Sequence, residues 1–169
     1  MTGDPVTPFL VDLWRFGALK GREAEAYAAL RENAFGIPAH GIRPQGRSGN
    51  PSYLKQGFVQ YDRSFISKGM DTDPHHGASA TLEYALADGA LAQMAAALGH
   101  ADDANVLAQR ALNWKKVWDA SVIDAPTGQR GFPRPRLEDG SWFGDVGSGY
   151  DPRGDHGFHE GTAWQYQWL

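Results

Sequence analysis

The segment from Gly157 to Trp168 contains the residue types needed for acid–base chemistry on a sugar. It contains His159 and Glu160, followed closely by Trp164 and Gln165. A carboxyl group among aromatic rings can have a raised pKa through desolvation, as a general acid requires, whereas a helix N-terminus favours the anion. Aromatic rings also stack on sugar faces. The segment therefore makes Glu160 a candidate general acid, beside aromatic rings that could bind a sugar.

An acidic and aromatic stretch leads into this segment. Between Leu137 and Glu160 there are six carboxylates and one basic residue, and the stretch includes Trp142. We expect Trp142 to line the same site as Glu160. Two simpler roles stay open, because Glu160 could only cap a helix and the tryptophans could only fill the core.

Asp71, Asp73, His75 and His76 form a second polar group, within six residues of sequence. Their oxygen and imidazole donors could bind a metal ion. They also suit a solvated turn before a helix, with Ser79 as its N-cap. We favour the turn and predict no metal site in this chain.

Two carboxylates lie inside an otherwise apolar helical pattern. Burying the charged side chains of Glu83 and Asp88 there would cost free energy unless they were paired or lined a polar cavity. We expect ion pairs with an arginine such as Arg63 or Arg110, and a cavity is the alternative.

Helices must position these groups. The apolar spacing predicts helices near 9–17 and 24–31, a helix at 79–98 that is apolar nearly all round, and an amphipathic helix at 102–118. In the last, a stripe runs along one face: Leu107, Ala111, Trp114 and Trp118. A buried helix followed by an amphipathic one indicates alternating inner and outer layers. Regions 35–74 and 127–158 are rich in Gly and Pro and predict long loops, the second with short hairpins.

Composition excludes several classes of protein. The 169 residues carry a net charge of −4, which lacks the basic excess of a nucleic-acid binder. Cysteine is absent, so disulfides, thiolate metal sites and cysteine nucleophiles are excluded. Phosphate-binding and dinucleotide-binding glycine motifs, and the serine nucleophile elbow, are also missing. No apolar stretch is long enough to span a membrane.

Residues 161–169 predict the first two turns of a helix, without the signals that end one. We therefore expect the chain to be a piece of a longer polypeptide, cut inside an element.

Several motifs resemble one enzyme family. They are His-Gly-Ala-Ser-Ala-Thr-Leu-Glu-Tyr from position 76, Arg-Ala-Leu-Asn-Trp from 110, Asp-Gly-Ser-Trp from 139, Tyr-Asp-Pro from 150 and Phe-His-Glu-Gly-Thr-Ala-Trp-Gln-Tyr from 158. Together they resemble glycoside hydrolase family 92, the calcium-dependent exo-acting α-mannosidases. The resemblance covers most of the chain, and the motif from 158 is the most specific.

The resemblance implies an all-α fold, as part of an (α/α)6 barrel with alternating inner and outer helices and long Gly- and Pro-rich loops. Residues 1–169 would then be one piece of a catalytic domain, without the family's N-terminal β-sandwich and the remaining barrel helices. Calcium belongs to the complete enzyme, with its ligands mostly outside this chain. A secreted or periplasmic location is expected for the full-length bacterial enzyme.

The resemblance also implies an inverting hydrolysis of terminal α-linked mannose, with Glu160 as general acid. Trp164 and Gln165 are implied to line the site, and His159 and Trp142 are further candidates. The expected partners are a mannose-containing glycan and the rest of the same polypeptide, with neither nucleic acid nor membrane. The family's base lies in a Gly-Asn-Asp-Asp segment that this chain lacks, so we expect the chain alone to be inactive. A non-catalytic carbohydrate-binding or structural α/α module is the alternative.

Overall fold

The fold is mainly helical, as predicted. The computed structural model describes residues 3–38, 46–64, 72–144 and 149–167. The helices are α1 (Val6–Arg15), α2 (Glu23–Phe35), α3 (Asn50–Gln56), α4 (Gly77–Ala97), α5 (Ala101–Arg110) and α6 (Ala163–Tyr166), with 3-10 helices at Asp73–His76 and Ala111–Lys116. The strands are β1 (Trp118–Ile123) and β2 (Arg130–Pro133), paired in an antiparallel sheet.

The long helix α4 organises the chain. Its C-terminal half packs with α1, α2 and α5 around one apolar core: Val11, Tyr27, Leu30, Ala34, Leu91, Ala92, Met94, Ala95 and Leu107. Met94 is fully buried, which confirms the prediction of a buried helix at 79–98. Leu86 is 54% exposed, however, because it lies on an open apolar groove beside Trp114 and Trp118. In this chain α4 is therefore covered on most of its surface, but not along that groove.

The predicted helix at 102–118 is wrong in its second half. The α-helix ends at Arg110, a 3-10 helix follows, and Trp118 begins β1. A 3-10 helix has 3.0 residues per turn instead of 3.6, which changes the face that each later residue occupies. Val117 is consequently fully buried, whereas Trp114 and Trp118 are 40% and 36% exposed.

The loop predicted at 35–74 contains a short helix. In α3, Pro51 stands in the first turn, where its missing N–H breaks no helical hydrogen bond. Asn50 is fully buried, and its side-chain amide donates to the carbonyls of Asn33 and Gly36. These contacts with residues far along the chain help to stabilise a helix that the local sequence pattern does not predict. Positions 39–45 and 65–71 of this predicted loop, including Asp71, lie outside the described residues.

The predicted loop at 127–158 contains a hairpin and a bridge in its described part. β1 and β2 pair with a register shift between Asp119 and Ile123, and Arg136 bridges to Trp142. Arg153 binds both carboxylate oxygens of Asp124, at 2.5 and 2.8 Å. This ion pair fastens the segment 149–167 to the hairpin.

Asp88 has the arginine partner that the sequence predicts. Its side chain is fully buried and contacts Arg110 and Arg47, each with a shortest distance of 2.8 Å or less. It also accepts a hydrogen bond from the Tyr53 hydroxyl at 3.0 Å. A carboxylate paired in this way can remain charged inside a protein.

Glu83 has a different environment from the one predicted. It lies beside the carboxyl groups of Asp73 and Asp4, under the N-terminal segment around Gly3. Burial, then the negative charge of Asp73, raises the pKa of Glu83 to about 7. The expected arginine pair is thus replaced by a group of carboxyls that favours a protonated Glu83.

None of the helices within the described ranges is both long and apolar enough to cross a membrane.

Candidate active site

An open cavity of about 660 Å³ lies beside the first turn of α4 and the segment that leads into α6. Both acidic and basic groups face it, together with two aromatic rings. Its lining residues are Tyr61, Arg63, His75, His76, Asp155, Phe158, Glu160, Gly161, Thr162 and Gln165. A cavity with convergent polar groups is the usual form of a small-molecule site.

A distant backbone carbonyl caps the start of α4. The N–H groups of Ala78 and Ser79 donate to the carbonyl of Gly157, at 3.1 and 3.2 Å. These are two of the N–H groups that a helix start leaves without intrahelical partners. The prediction of Ser79 as N-cap is therefore wrong, since α4 begins at Gly77 and Gly157 supplies the cap. This cap could not be found from the local sequence, because it comes from about 80 residues downstream.

Two glycines near this cap allow other parts of the chain to approach the backbone closely. Gly157 has a φ of +82°, and a Cβ there would lie 2.1 Å from Cγ of Pro135. At Gly77 a Cβ would lie 2.6 Å from the carbonyl oxygen of Val59. A side chain at Gly157 would push its segment away from Pro135, and one at Gly77 would push the start of α4 away from Val59.

The residues just before Glu160 are held at their backbone. The N–H of His159 donates to Oγ of Ser79 at 3.1 Å, and its carbonyl accepts from the Tyr166 hydroxyl at 2.9 Å. One residue earlier, the Phe158 carbonyl lies 2.9 Å from Nδ1 of His76. The segment therefore enters the cavity in a fixed position.

Glu160 itself has a left-handed backbone conformation, with a φ of +50°. Such a conformation is rare for a residue with a side chain, and strained positions of this kind cluster at functional sites. The carboxylate is 87% exposed, with Oε1 3.9 Å from Nε2 of His159. Glu160 is thus directed into open space rather than enclosed by aromatic rings as the sequence led us to expect.

The start of α6 is capped by other residues. Thr162 is the N-cap, and its N–H donates to Oε1 of Gln165 at 2.7 Å. The Thr162 hydroxyl also contacts this oxygen, at 3.0 Å. The possibility that Glu160 only caps a helix is therefore wrong. Of the two helical turns predicted at 161–169, the structure shows one, α6, while Trp168 and Leu169 lie outside the described residues.

The structure brings only some of the predicted site residues together. Gln165 lines the cavity with Glu160, and His159 adjoins it. Trp164 instead stacks on Phe132, with ring centroids 5.4 Å apart. Trp142 lies under the Arg136 guanidinium, 3.6 Å from ring centroid to Cζ. Neither tryptophan is part of the cavity lining in this chain.

Sequence analysis missed other residues that line the cavity. Arg63 and Tyr61 come from the region predicted as an irregular loop, and Asp155 from the acidic stretch. His75 and His76 had been considered as metal ligands or as part of a solvated turn before a helix, and not as residues that line a cavity. The nearness of two histidines to the start of a buried helix was the available signal, since helix starts often line sites.

The described residues do not form a metal site. Within them, no group of three or more His, Asp or Glu side chains is arranged to hold an ion. Asp73 accepts hydrogen bonds from the Gly3 N–H at 2.6 Å, from Ser48 at 3.0 Å and from Tyr84. The calcium ion that the resemblance implies therefore has no evident ligand set in this part of the chain.

The comparisons with known proteins decide the family. The model of the glycosyl hydrolase family 92 catalytic domain matches residues 1–169. The chain belongs to glycosyl hydrolase family 92. The resemblance seen in the motifs is thereby confirmed.

Solved family 92 structures have the same fold over this region. The chain is similar to the family GH92 inverting mannosidase BT2199 from Bacteroides thetaiotaomicron, with 26% identity, a TM-score of 0.75, and coverage of 99% of this chain and 20% of that one. It is also similar to the family GH92 α-mannosidase BT3965 from the same organism, with 26% identity, a TM-score of 0.70, and coverage of 99% and 19%. The chain thus spans about a fifth of these structures. No curated protein gives a significant match.

Proposed function

We propose that this chain is part of an exo-acting α-mannosidase that hydrolyses terminal α-linked mannose with inversion, and that Glu160 is its general acid. The similarity to a structure named as an inverting mannosidase supports the reaction. A solved complex of the α-mannosidase BT3965 with mannoimidazole, 25% identical to this chain, with a TM-score of 0.69 and coverage of 99% of this chain and 19% of that one, supports a mannose-like ligand.

The observation that carries the assignment is the position of Glu160. Its carboxylate lines an open cavity, its backbone is strained, and the neighbouring helix is capped without it. A carboxyl group that is freely accessible to a ligand can deliver a proton to a glycosidic oxygen. A residue with only a structural role would not need this strained and exposed arrangement.

The surrounding side chains fit the recognition of sugar hydroxyls. Arg63 is a donor, Asp155 is an acceptor, and Gln165 has an amide group at the cavity wall. The ring of Phe158 adds an apolar surface on which a pyranose face can pack. These residues would orient the glycan so that its leaving oxygen meets Glu160.

An inverting reaction also needs a base about 6.5–9.5 Å from the acid, with room for water between them. The family's Gly-Asn-Asp-Asp segment, which carries this base, does not occur in the chain. We therefore propose that residues 1–169 supply the acid half of the site and are inactive alone. The (α/α)6 barrel, the N-terminal β-sandwich, the calcium ion and a secreted or periplasmic location are proposed for the complete protein.

A single substitution tests the role of Glu160. In the complete protein that contains this chain, Glu160→Gln removes the proton and keeps the shape. We expect kcat for an alkyl mannoside or mannobiose to fall about 10²- to 10⁴-fold, as is typical when a general acid is lost. An aryl mannoside with an acidic phenol should lose much less, because its leaving group needs little protonation.

The outcomes separate the possible roles. Equal losses on both substrates would identify Glu160 as a binding or folding residue. Unchanged kinetics on both substrates would overturn the acid assignment. Binding of mannosides without hydrolysis by the unsubstituted complete protein would favour a carbohydrate-binding module instead.

A further inference from the structure

We infer that Ser79 is a positioning residue, and that its hydroxyl together with that of Tyr166 fixes the direction of Glu160. This inference rests on the proposed role of Glu160 as general acid. Neither hydroxyl is needed to contact the glycan for this role. Both act on the backbone of His159, the residue that precedes the acid.

The Ser79 hydroxyl has two hydrogen-bond partners. Its side chain is buried in the first turn of α4, where Oγ accepts from the His159 N–H at 3.1 Å. The same Oγ donates to the carbonyl of His76, also at 3.1 Å. The direction of the hydroxyl is therefore fixed, and it presents an acceptor to His159.

The carbonyl group of His159 is also held by a side-chain hydroxyl. The His159 carbonyl accepts from the Tyr166 hydroxyl at 2.9 Å, so both backbone polar groups of His159 are held by side-chain hydroxyls. Ser79 comes from α4 and Tyr166 from α6, so side chains of two helices bind the backbone of His159. The peptide group between His159 and Glu160 cannot rotate without breaking the Tyr166 contact.

The backbone of Glu160 is strained. A left-handed conformation costs about 1–3 kcal/mol in a residue with a side chain, and persists only when its surroundings impose it. Glu160 has a φ of +50° and an 87% exposed side chain, so its own side chain is not what holds it there. The restraints are therefore on its neighbours: the contacts on His159 before it, and the capping of α6 by Thr162 and Gln165 after it. Without them, rotation to negative φ would relieve the strain and direct the carboxylate elsewhere.

Ser79→Ala tests this inference in the complete protein. We expect kcat on an alkyl mannoside to fall about 10- to 100-fold, because a displacement of about 1 Å in a reacting group can cost 10²-fold. The aryl mannoside should lose at most about threefold, and KM should stay within about twofold for both substrates. Ser79→Thr, which keeps the hydroxyl, should recover most of the lost rate.

Two further variants keep the test decisive. Tyr166→Phe removes only the hydroxyl on the other side, so it should show the same preference for the aryl substrate even if Ser79→Ala folds poorly. In a Glu160→Gln background, Ser79→Ala should cause no additional loss on the alkyl substrate. If Ser79 acted independently of Glu160, the losses caused by the two substitutions would multiply instead.

Thr81→Ala is the matched control. Its hydroxyl is buried in the same part of α4, donates to the Gly77 carbonyl at 2.6 Å and accepts from the Val59 N–H at 2.9 Å. It therefore fastens a different segment in the same way. We expect similar destabilisation from Thr81→Ala, with no difference between alkyl and aryl substrates.

The results distinguish this inference from the proposed function. A strong effect of Glu160→Gln, with equal alkyl and aryl losses in Ser79→Ala and Tyr166→Phe, would overturn the positioning role alone. A Thr81→Ala variant that discriminates between the substrates as Ser79→Ala does would also overturn it. Unchanged kinetics in Glu160→Gln would overturn the acid assignment, and the positioning role with it.

Discussion

The two halves of α4 differ, because the N-terminal half adds hydrogen bonds with a distant segment to its apolar packing. The C-terminal half packs its side chains against three other helices, in an apolar core that includes Leu91 and Met94. The N-terminal half packs in three smaller apolar clusters. Its first turn is also joined by hydrogen bonds to the segment at 157–159, because Ala78 and Ser79 donate to Gly157 and His159 donates to Ser79. Apolar packing tolerates small shifts, whereas hydrogen bonds fix distances and angles. The helix is thus a packed scaffold in both halves, and its first turn in addition positions the segment that carries Glu160.

The largest effect on stability is expected at the apolar end. Leu91→Ala removes a fully buried side chain and should lower the free energy of unfolding by about 2–5 kcal/mol. Urea denaturation of this chain measures the change. Leu86→Ala is the control, since Leu86 is on the same helix but 54% exposed, and should cost less than about 1 kcal/mol. Similar losses from both variants would contradict the contrast between packed and open faces.

A substitution at the other end should act on geometry as well as stability. Gly157→Ala introduces a Cβ at a positive φ, 2.1 Å from Pro135. We expect about 1–3 kcal/mol of destabilisation from the strain, together with loss of alkyl-mannoside hydrolysis in the complete protein. The carbonyl that caps α4 would also move.

Gly140→Ala isolates the part of this effect that comes from φ alone. Gly140 has a φ of +83°, and a Cβ there would contact nothing within 4 Å. We expect it to lower stability by about 1 kcal/mol and to leave hydrolysis unchanged. If Gly157→Ala were equally harmless to hydrolysis, the close approach at Pro135 would not matter for the site.

The smallest effect concerns Glu83, which lies in the N-terminal half of α4. Its pKa is raised from 4.5 to about 7 by burial and by Asp73, so the folded chain holds a proton that the unfolded chain releases above pH 4.5. The free energy of unfolding should therefore fall as the pH rises from about 4.5 to about 7. Allowing for its partial exposure, we expect a fall of about 1–2 kcal/mol.

Glu83→Gln should abolish that fall and leave the chain more stable at pH 8 than the parent, as measured by urea denaturation across the pH range. Glu25→Gln is the control, because Glu25 is exposed and Arg22 holds its pKa below the usual value. An unchanged pH profile in Glu83→Gln would show that Glu83 does not hold this proton.

The same contrast explains how much the sequence could predict. The apolar end was predictable, because a helix that is apolar nearly all round must be buried on most sides, and Met94 is buried as expected. The partner of Asp88 was predictable too, since a buried carboxylate needs a cation and Arg110 was a candidate. Both inferences follow from the cost of leaving a group in the wrong environment.

The hydrogen-bonded end was harder to predict. The cap on α4 is a backbone carbonyl, and any residue has one, so nothing in the sequence marks Gly157 for this role. The motif around Glu160 pointed to the acid, but residue types alone could not show that Trp142 and Trp164 pack on Arg136 and Phe132. Aromatic residues serve the core and binding sites equally well, and only three-dimensional contacts distinguish the two.

The cap that Gly157 places on α4 also bears on synthesis of the chain. About 80 residues separate Gly157 from the N–H groups it binds, and at roughly 5–20 residues per second they take roughly 4–16 seconds to be made. The first turn of α4 meanwhile has only water for these groups, whereas α1, α2 and α5 can already pack on its other half once residue 110 has emerged. Assembly of the Glu160 site is therefore a late event, and a ribosome stalled before residue 157 would present a helix bundle with an uncapped, fraying end.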